Sequence, residues 1–339
     1  MGTVKLLDCT LRDGGYINNW KFGEAIIKDV VTKTVEAGID IVEIGFLRDE
    51  PYDPDRAIFN TNAQIKAVIG RKWPHTMYSA MVEISNPMPV DLLGECDPDS
   101  IDIIRIIVWK EMLQESLRYA RQIQARGYKV CIQPVRINQY TEKEFIDTIQ
   151  LFNTLAPFAF YIVDSWGVMS AEKLMPYIKL ADMHLSPETS LGLHGHDNKQ
   201  QTLTCACSFF FTQSPERNII VDGSVMGIGR GAGNLSIEVF ASYLNDHSLN
   251  NWYNIQHLLT VGQKYICPIQ SKHPWGYSLM SFLTAEYVCN PEYIHFMQDK
   301  ELSVDSAMQF LSGLSPIERL TFKKDKAEQL LEVLCGSDS

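Results

Sequence analysis

Short β-branched runs alternate with amphipathic helical windows through the first three quarters of this chain, and that alternation restricts its fold more than any other feature. Eight runs read as strands: Val4–Cys9, Ile39–Phe46, Thr76–Val82, Ile101–Val108, Lys129–Val135, Phe158–Asp164, Ser190–His194 and Ile219–Ser224. Between them lie helical windows. Glu24–Ala37 sets Ile27, Val30, Val31 and Val35 on one side, and Met112–Ala125 behaves alike. Strands and helices in alternation imply a parallel sheet with right-handed crossovers. Eight repeats over about 250 residues is the size of a closed (β/α)8 TIM barrel. An open doubly wound sheet would usually carry a glycine-rich phosphate turn after its first strand. Here Asp8 to Gly15 is rich in charge instead.

Past Cys267 the alternation stops, and the pattern becomes helical over Tyr277–Cys289, Val304–Leu311 and Lys326–Leu334, with turns at Asn290-Pro291 and Ser315-Pro316. The expected organisation is a catalytic barrel over residues 1–265 and a C-terminal helical extension over residues 266–339. The extension would pack on the barrel or on a neighbouring subunit, which makes a homo-oligomer an expectation. The tail from Gly336 to Ser339 is expected to fray.

Charge and cysteine content narrow the function. The net charge is −11 and the basic residues are scattered, so nucleic acid is not an expected partner, because binding it relies on Lys/Arg clusters. The longest apolar runs, such as Ile103 to Trp109, are too short to span a bilayer. The N-terminus enters a strand-like run directly, without a signal-peptide stretch, and the expected location is the cytoplasm. Eight cysteines occur without a Cys-x-x-Cys pair and read as reduced, space-filling thiols. Cys9 sits beside the candidate site but has no obvious base to make it a nucleophile.

The chemistry concentrates at the ends of the strand runs, the face on which barrels of this kind carry their sites. These ends hold Asp8/Arg12/Asp13, Glu43, Glu83, Gln133, Asp164/Ser165, His194/His196 and Asp222/Ser224. His194 and His196 close an extended run two residues apart, so their imidazoles point to one side and can share a divalent cation. Arg12 and Asp13 end another run. Two His plus one Asp, with an Arg beside them, is a constellation for holding a 2-oxo acid on a metal and stabilising its enolate. Mixed nitrogen and oxygen ligation suits Mn²⁺ or Mg²⁺, with Zn²⁺ and Co²⁺ as alternatives. Arg12 and Glu43 also have a simpler reading, as an ion pair at the barrel mouth, and Arg105 could face the lumen. A Schiff-base route would need a lysine projecting into the barrel. The run Phe158–Asp164 has none, and Lys110 and Lys199 lie just past strand ends.

Five ordered motifs carry a family resemblance. Asp8-Cys-Thr-Leu-Arg-Asp-Gly14 resembles the first-strand signature of the DRE-TIM metallolyase superfamily. Ile41-Val-Glu-Ile-Gly45, Val163-Asp-Ser-Trp-Gly-Val-Met169, Leu193-His-Gly-His-Asp-Asn198 and Gly227-Ile-Gly-Arg-Gly-Ala-Gly-Asn234 follow in the family's order. The resemblance implies that Asp13, His194 and His196 bind the metal and that Asn234 is a further metal-side ligand. It also implies that Arg12 stabilises the enolate oxygen, with Glu43 holding Arg12. Trp275-Gly-Tyr-Ser-Leu-Met-Ser-Phe-Leu283 looks like the C-terminal helix of the superfamily's aldolases, which makes Tyr277 a candidate proton donor or substrate contact.

These features favour an aldolase that works through a pyruvate-type enolate, with a small-molecule 2-oxo acid and an aldehyde as partners. The chain lacks the long regulatory domain of the isopropylmalate synthases, and Gly227-Ile-Gly-Arg-Gly231 has no cysteine like that of the hydroxymethylglutaryl-CoA lyases. The alternatives are a Claisen-type acyl-CoA lyase or synthase and a non-catalytic barrel that binds metal and 2-oxo acid. One departure matters. The aldolases carry a histidine acid/base four residues after the signature arginine, and this chain has Tyr16 there. An unperturbed phenol, with a pKa of about 10, is a poor base near neutrality. Asn18, Asn19 and Trp20 follow in the same loop and are candidates for a specificity pocket.

Overall fold

The computed structural model describes residues 2–212, 214, 216–247 and 252–336, without the side chains of 335 and 336. Eight parallel strands close into a barrel: β1 (Val4–Asp8), β2 (Ile41–Leu47), β4 (Met77–Glu83), β5 (Ile103–Val108), β6 (Lys129–Pro134), β7 (Ala159–Asp164), β8 (Ser190–Gly195) and β9 (Ile219–Gly223). Closure is seen in β1, which pairs with β2 through Leu7↔Ile41 and with β9 through Val4↔Ile219. A two-residue strand, β3 (Ile58–Phe59), adds to the end of β2. All eight expected runs are strands, and the barrel is the fold the alternation demanded.

Several runs start a residue or two later than their composition suggests, because turns use their first residues. Thr76 donates its backbone N–H back to Trp73, so pairing begins at Met77. On β2 the register shifts between Glu43 and Phe46. Gly45 sits at this bulge with φ +146, where a Cβ would fall 2.0 Å from the Ala57 carbonyl oxygen. Only glycine fits there.

The helices form as their periodicity requires. In Glu24–Glu36, Ile27, Val30, Val31, Thr34 and Val35 are buried against the barrel. Glu142–Asn153 starts at a capping box in which Thr141 and Glu144 satisfy each other's backbone N–H groups. Inside the strands a smaller core of Leu7, Ile41, Ile103, Cys131, Tyr161 and Ile220 fills the lumen floor.

The C-terminal helices build a separate apolar core around Leu283, Tyr293, Phe296, Phe310, Leu311 and Leu314. Here the two proline turns prove to be helix starts. Pro291 precedes Glu292–Asp299, and Pro316 is the first residue of Pro316–Leu320, capped by Ser315 and Glu318. Proline suits a first helical turn, where its missing N–H has no partner to lose. The helix expected from Tyr277 runs from Leu279 to Glu286, because Ser278 caps it. The seven described cysteines are all free. Residues 337–339 of the tail expected to fray lie outside the described residues. Among the described residues no helix is long and apolar enough to cross a membrane.

Candidate active site

The barrel delivers the predicted groups to one point at the C-terminal ends of its strands. Arg12 and Asp13 ride on a short helical turn, Thr10–Asp13, that leaves β1. His194 is the penultimate residue of β8, and His196 follows the strand with its ring centroid 5.1 Å away and nearly perpendicular. One ligand atom from each of Asp13, His194 and His196 falls within 4.8 Å of the others, and all three residues are buried. His196 also bridges to Asn234 through the backbone. Asn234 Nδ2 donates to Asp13 Oδ2 at 2.8 Å and to the Ile228 carbonyl at 3.1 Å.

Two observations test whether a cation fits. His196 Nε2 and Asn234 Oδ1 are buried with no hydrogen-bond partner, an arrangement that is costly unless something else meets them. His196 Nε2 also stands 3.5 Å from Asp13 Oδ2, while its Nδ1 lies 3.0 Å from the Asp164 carbonyl. An N–H directed at that carbonyl leaves the Nε2 lone pair facing the site. His194 Nδ1 lies 3.1 Å from Asp222 Oδ2. Burial foremost keeps His194 below the ordinary imidazole range, hence neutral and able to ligate.

An alternating chain of buried charges supports these candidate ligands from below. Arg12 pairs with Asp13 through Nη1 and with Glu43 through Nε at 2.8 Å. Glu43 Oε2 also accepts from Arg105 Nη1 at 2.7 Å, and Arg105 Nη2 pairs with Asp222. Arg105 therefore does face the lumen, with its guanidinium 4.8 Å from the Tyr161 ring. Burial works against the Asp13 carboxylate, but the Arg12 charge and the hydrogen bond and charge of His196 outweigh it and hold the group well below its usual range. Burial likewise opposes the charge on Arg12, and Glu43 and Asp13 overcome it. The chain carries three carboxylates against two guanidinium groups, and burying that surplus is unfavourable. A divalent cation held at Asp13 would offset it.

The candidate ligands open into a cavity lined also by Tyr16, Glu83, Trp109, Gln133, Arg136, Trp166 and Arg230. Tyr16 packs edge-on to Trp20 with ring centroids 4.8 Å apart. Burial foremost raises its phenol above the usual range, so it stays protonated near neutrality. Of the loop that follows, Asn18, Asn19 and Trp20 do not line this cavity. Trp20 is buried and donates to the Arg12 carbonyl at 2.7 Å, bracing the arginine. Asn18 caps a turn at the Lys21 carbonyl, and Asn19 accepts from Arg56. Trp20 is thus a structural support, while Asn18 and Asn19 line a second cavity beside Tyr16, Lys21 and Tyr265. Tyr277 precedes the helix cap, is 51% exposed and does not reach the cavity.

No lysine lines the cavity among the described residues. Lys110 pairs with Glu144 and Lys199 with Glu286, so a Schiff-base route finds no support. Cys9 donates to the Gly223 carbonyl, and burial holds its thiol well above the usual range, so it is not a nucleophile. Sequence reasoning missed Arg136 and Arg230. Arg136 lies two residues past the end of β6, and Arg230 stands inside the glycine-rich run after β9. Position just beyond a strand end was the available signal.

A parallel barrel with a His–His–Asp cluster at its strand ends and an arginine braced by glutamate defines the divalent-metal-dependent DRE-TIM metallolyases. The HMGL-like family model matches residues 3–264, and the chain belongs to that family. Among its relatives, an oxaloacetate decarboxylase of Mycobacterium tuberculosis is 26% identical over 70% of this chain and 69% of its own. A 4-hydroxy-2-oxovalerate aldolase of Pseudoalteromonas translucida is 22% identical over 79% of this chain and 77% of its own. In fold, the chain is similar to the N-terminal domain of a candidate aldolase from Bacteroides vulgatus, with a TM-score of 0.73 at 23% identity over 90% of this chain and 99% of that one. It is also similar to hydroxymethylglutaryl-CoA lyase from Pseudomonas aeruginosa, with a TM-score of 0.61 at 15% identity over 79% and 92%.

Proposed function

We propose that the protein is a carbon–carbon lyase that cleaves a 4-hydroxy-2-oxo acid to a pyruvate-type enolate and an aldehyde, or runs that reaction in reverse. The observation that carries this reading is the convergence of Asp13, His194 and His196 beside an arginine with a free edge. A divalent cation held by those three residues, with Asn234 Oδ1 adjacent, would supply Lewis-acid polarisation of a 2-oxo acid; the mixed ligand set favours Mn²⁺ or Mg²⁺ over Zn²⁺ or Co²⁺. Arg12 commits Nε to Glu43 and Nη1 to Asp13, which leaves Nη2 to stabilise developing charge on the enolate oxygen. Glu43 and Trp20 fix that guanidinium in place, so little reorganisation accompanies the reaction.

Tyr16 bears on which bond breaks. Retro-aldol cleavage needs a base for the 4-hydroxyl proton, and a phenol raised by burial does not supply one. Decarboxylation of a 3-carboxy-2-oxo acid needs none. Its C3–C4 bond breaks, CO2 leaves, the electron pair stays as the enolate, and C3 then takes a proton, which the Tyr16 hydroxyl can give. This second reading also draws on the decarboxylase relative. Pyruvate methyl exchange in D2O, followed by NMR with Mn²⁺ and then with chelator, tests the step common to both. Exchange that requires metal and disappears in Arg12→Ala is the expected result. Absence of exchange from pyruvate and other 2-oxo acids would favour a barrel that binds without catalysing, and thiol release from acetyl-CoA would favour the Claisen branch. Comparing turnover of 4-hydroxy-2-oxopentanoate with CO2 release from oxaloacetate separates the two lyase readings.

A further inference from the structure

Two arginines line the same cavity as Arg12 without belonging to its charge chain. Arg136 has left-handed backbone, φ +57, which is uncommon and strained for a residue with a side chain. The Ser165 hydroxyl accepts its backbone N–H at 2.9 Å and holds that conformation. Its guanidinium lies 4.6 Å from the Trp109 ring and 5.1 Å from the Trp166 ring, within cation–π range. One of its N–H groups goes to the Leu320 carbonyl at 3.0 Å. Among the described residues Arg136 makes no ion pair, whereas Arg12 and Arg105 each make two. Arg230 lies over the Tyr16 ring at 5.5 Å. Its Nη2 is shared between Asn290 and the half-exposed Glu292, and its Nε is buried without a partner.

The protein thus holds two guanidinium groups on aromatic platforms at one cavity wall. Burial foremost weakens Arg136's hold on its proton and the Arg230 charge adds to that, while Glu111 works the other way. Arg12 is answered by Asp13 and Glu43, whereas Arg136 has no ion pair among the described residues and Arg230 meets only the half-exposed Glu292. Two guanidinium groups so placed present forks in which an anion can be bonded.

We propose that Arg136 and Arg230 form an anion subsite for the far end of the substrate, so that the cavity takes a 2-oxo acid whose second half carries a carboxylate or phosphate. The near end rests on the enolate reading above; the subsite itself does not.

The first arm titrates inorganic phosphate into chelator-treated protein and follows tryptophan fluorescence, since Trp109 and Trp166 flank Arg136. A saturable response weakened about tenfold in both Arg136→Gln and Arg230→Gln is expected, the size of a lost charge-assisted hydrogen bond. The second arm, with Mn²⁺, compares 2-oxoglutarate with 2-oxopentanoate, which has the same chain length and no distal charge. Tighter binding of 2-oxoglutarate by about tenfold or more is expected, with both variants cancelling the ratio and leaving pyruvate affinity unchanged. The relative strength of the two arms distinguishes phosphate from carboxylate. Equal affinities together with no phosphate response, or responses unchanged in both variants, overturn the subsite. Pyruvate exchange run in parallel reports on the enolate reading alone. Arginine-dependent anion binding without exchange retains the subsite and removes the reading; exchange without discrimination does the reverse.

Discussion

Asp8, at the end of β1, is buried, accepts from the Thr10 hydroxyl at 2.5 Å and has its carboxyl pushed up to about 7, by burial foremost and by the charges of Glu43 and Glu238. Folded protein therefore keeps this proton up to about pH 7, while the unfolded side chain loses it near pH 4. Between those values the native state binds more protons, so stability falls as pH rises. Denaturant titrations at pH 5 and pH 8 should show a loss of a few kcal/mol in the wild type and a smaller one in Asp8→Asn; equal losses would show that Asp8 is not the source. Asp222 acts on the ligands by orientation. It faces His194 Nδ1 and pairs with Arg105, and partners of this kind typically contribute about 10- to 100-fold in metal affinity. Asp222→Asn should weaken Mn²⁺ binding by that factor in calorimetry with the circular dichroism unchanged. Unaltered affinity would mean that His194 needs no such support.

At the level of elements, the glycine-rich loop after β9 matters because it runs against the ligands. A Cβ at Gly229 would lie 2.3 Å from Asn234 Nδ2 and 2.6 Å from Asp13 Oδ2, closer than real side chains approach. Gly229→Ala should therefore abolish tight Mn²⁺ binding while the thermal transition of the barrel survives. The expectation fails if the variant binds Mn²⁺ like the wild type. Residues far apart in the chain meet only because the strands close into a ring. Arg105 and Asp222, 117 residues apart, and Arg105 and Glu43, 62 apart, touch across the lumen.

For the whole molecule, the helical extension is fastened over the barrel mouth. Asn198 donates to the Ser281 carbonyl, Arg230 reaches Asn290, and Arg136 reaches the Leu320 carbonyl. Its core is separate from that of the barrel, with Phe310 fully buried between Tyr293 and Phe296. Phe310→Ala should cost about 3–5 kcal/mol of local stability. Hydrogen exchange should then speed up across residues 280–334 and stay slow in β5, β6 and β7. Uniform acceleration would show instead that barrel and extension unfold as one unit.

Strand and helix periodicity, the His-x-His spacing and the adjacency of Arg12 and Asp13 are local properties, so the barrel and the three residues of the candidate metal site were legible in one dimension. The role of Glu43 beneath Arg12 was legible too, through its motif on β2. Tyr277 stands outside the cavity, because the helix after it starts at the Ser278 cap, which the resemblance of residue types does not carry. Trp20 read as pocket and serves as a brace, since only packing tells which way a loop indole turns. Arg136 and Arg230 carry no periodic signal at all. What places them is closure of the ring and docking of the extension, through contacts as much as 184 residues apart in the case of Arg136 and Leu320. Long-range packing and buried-charge compensation decide such positions, and neither is written in the order of neighbouring residues.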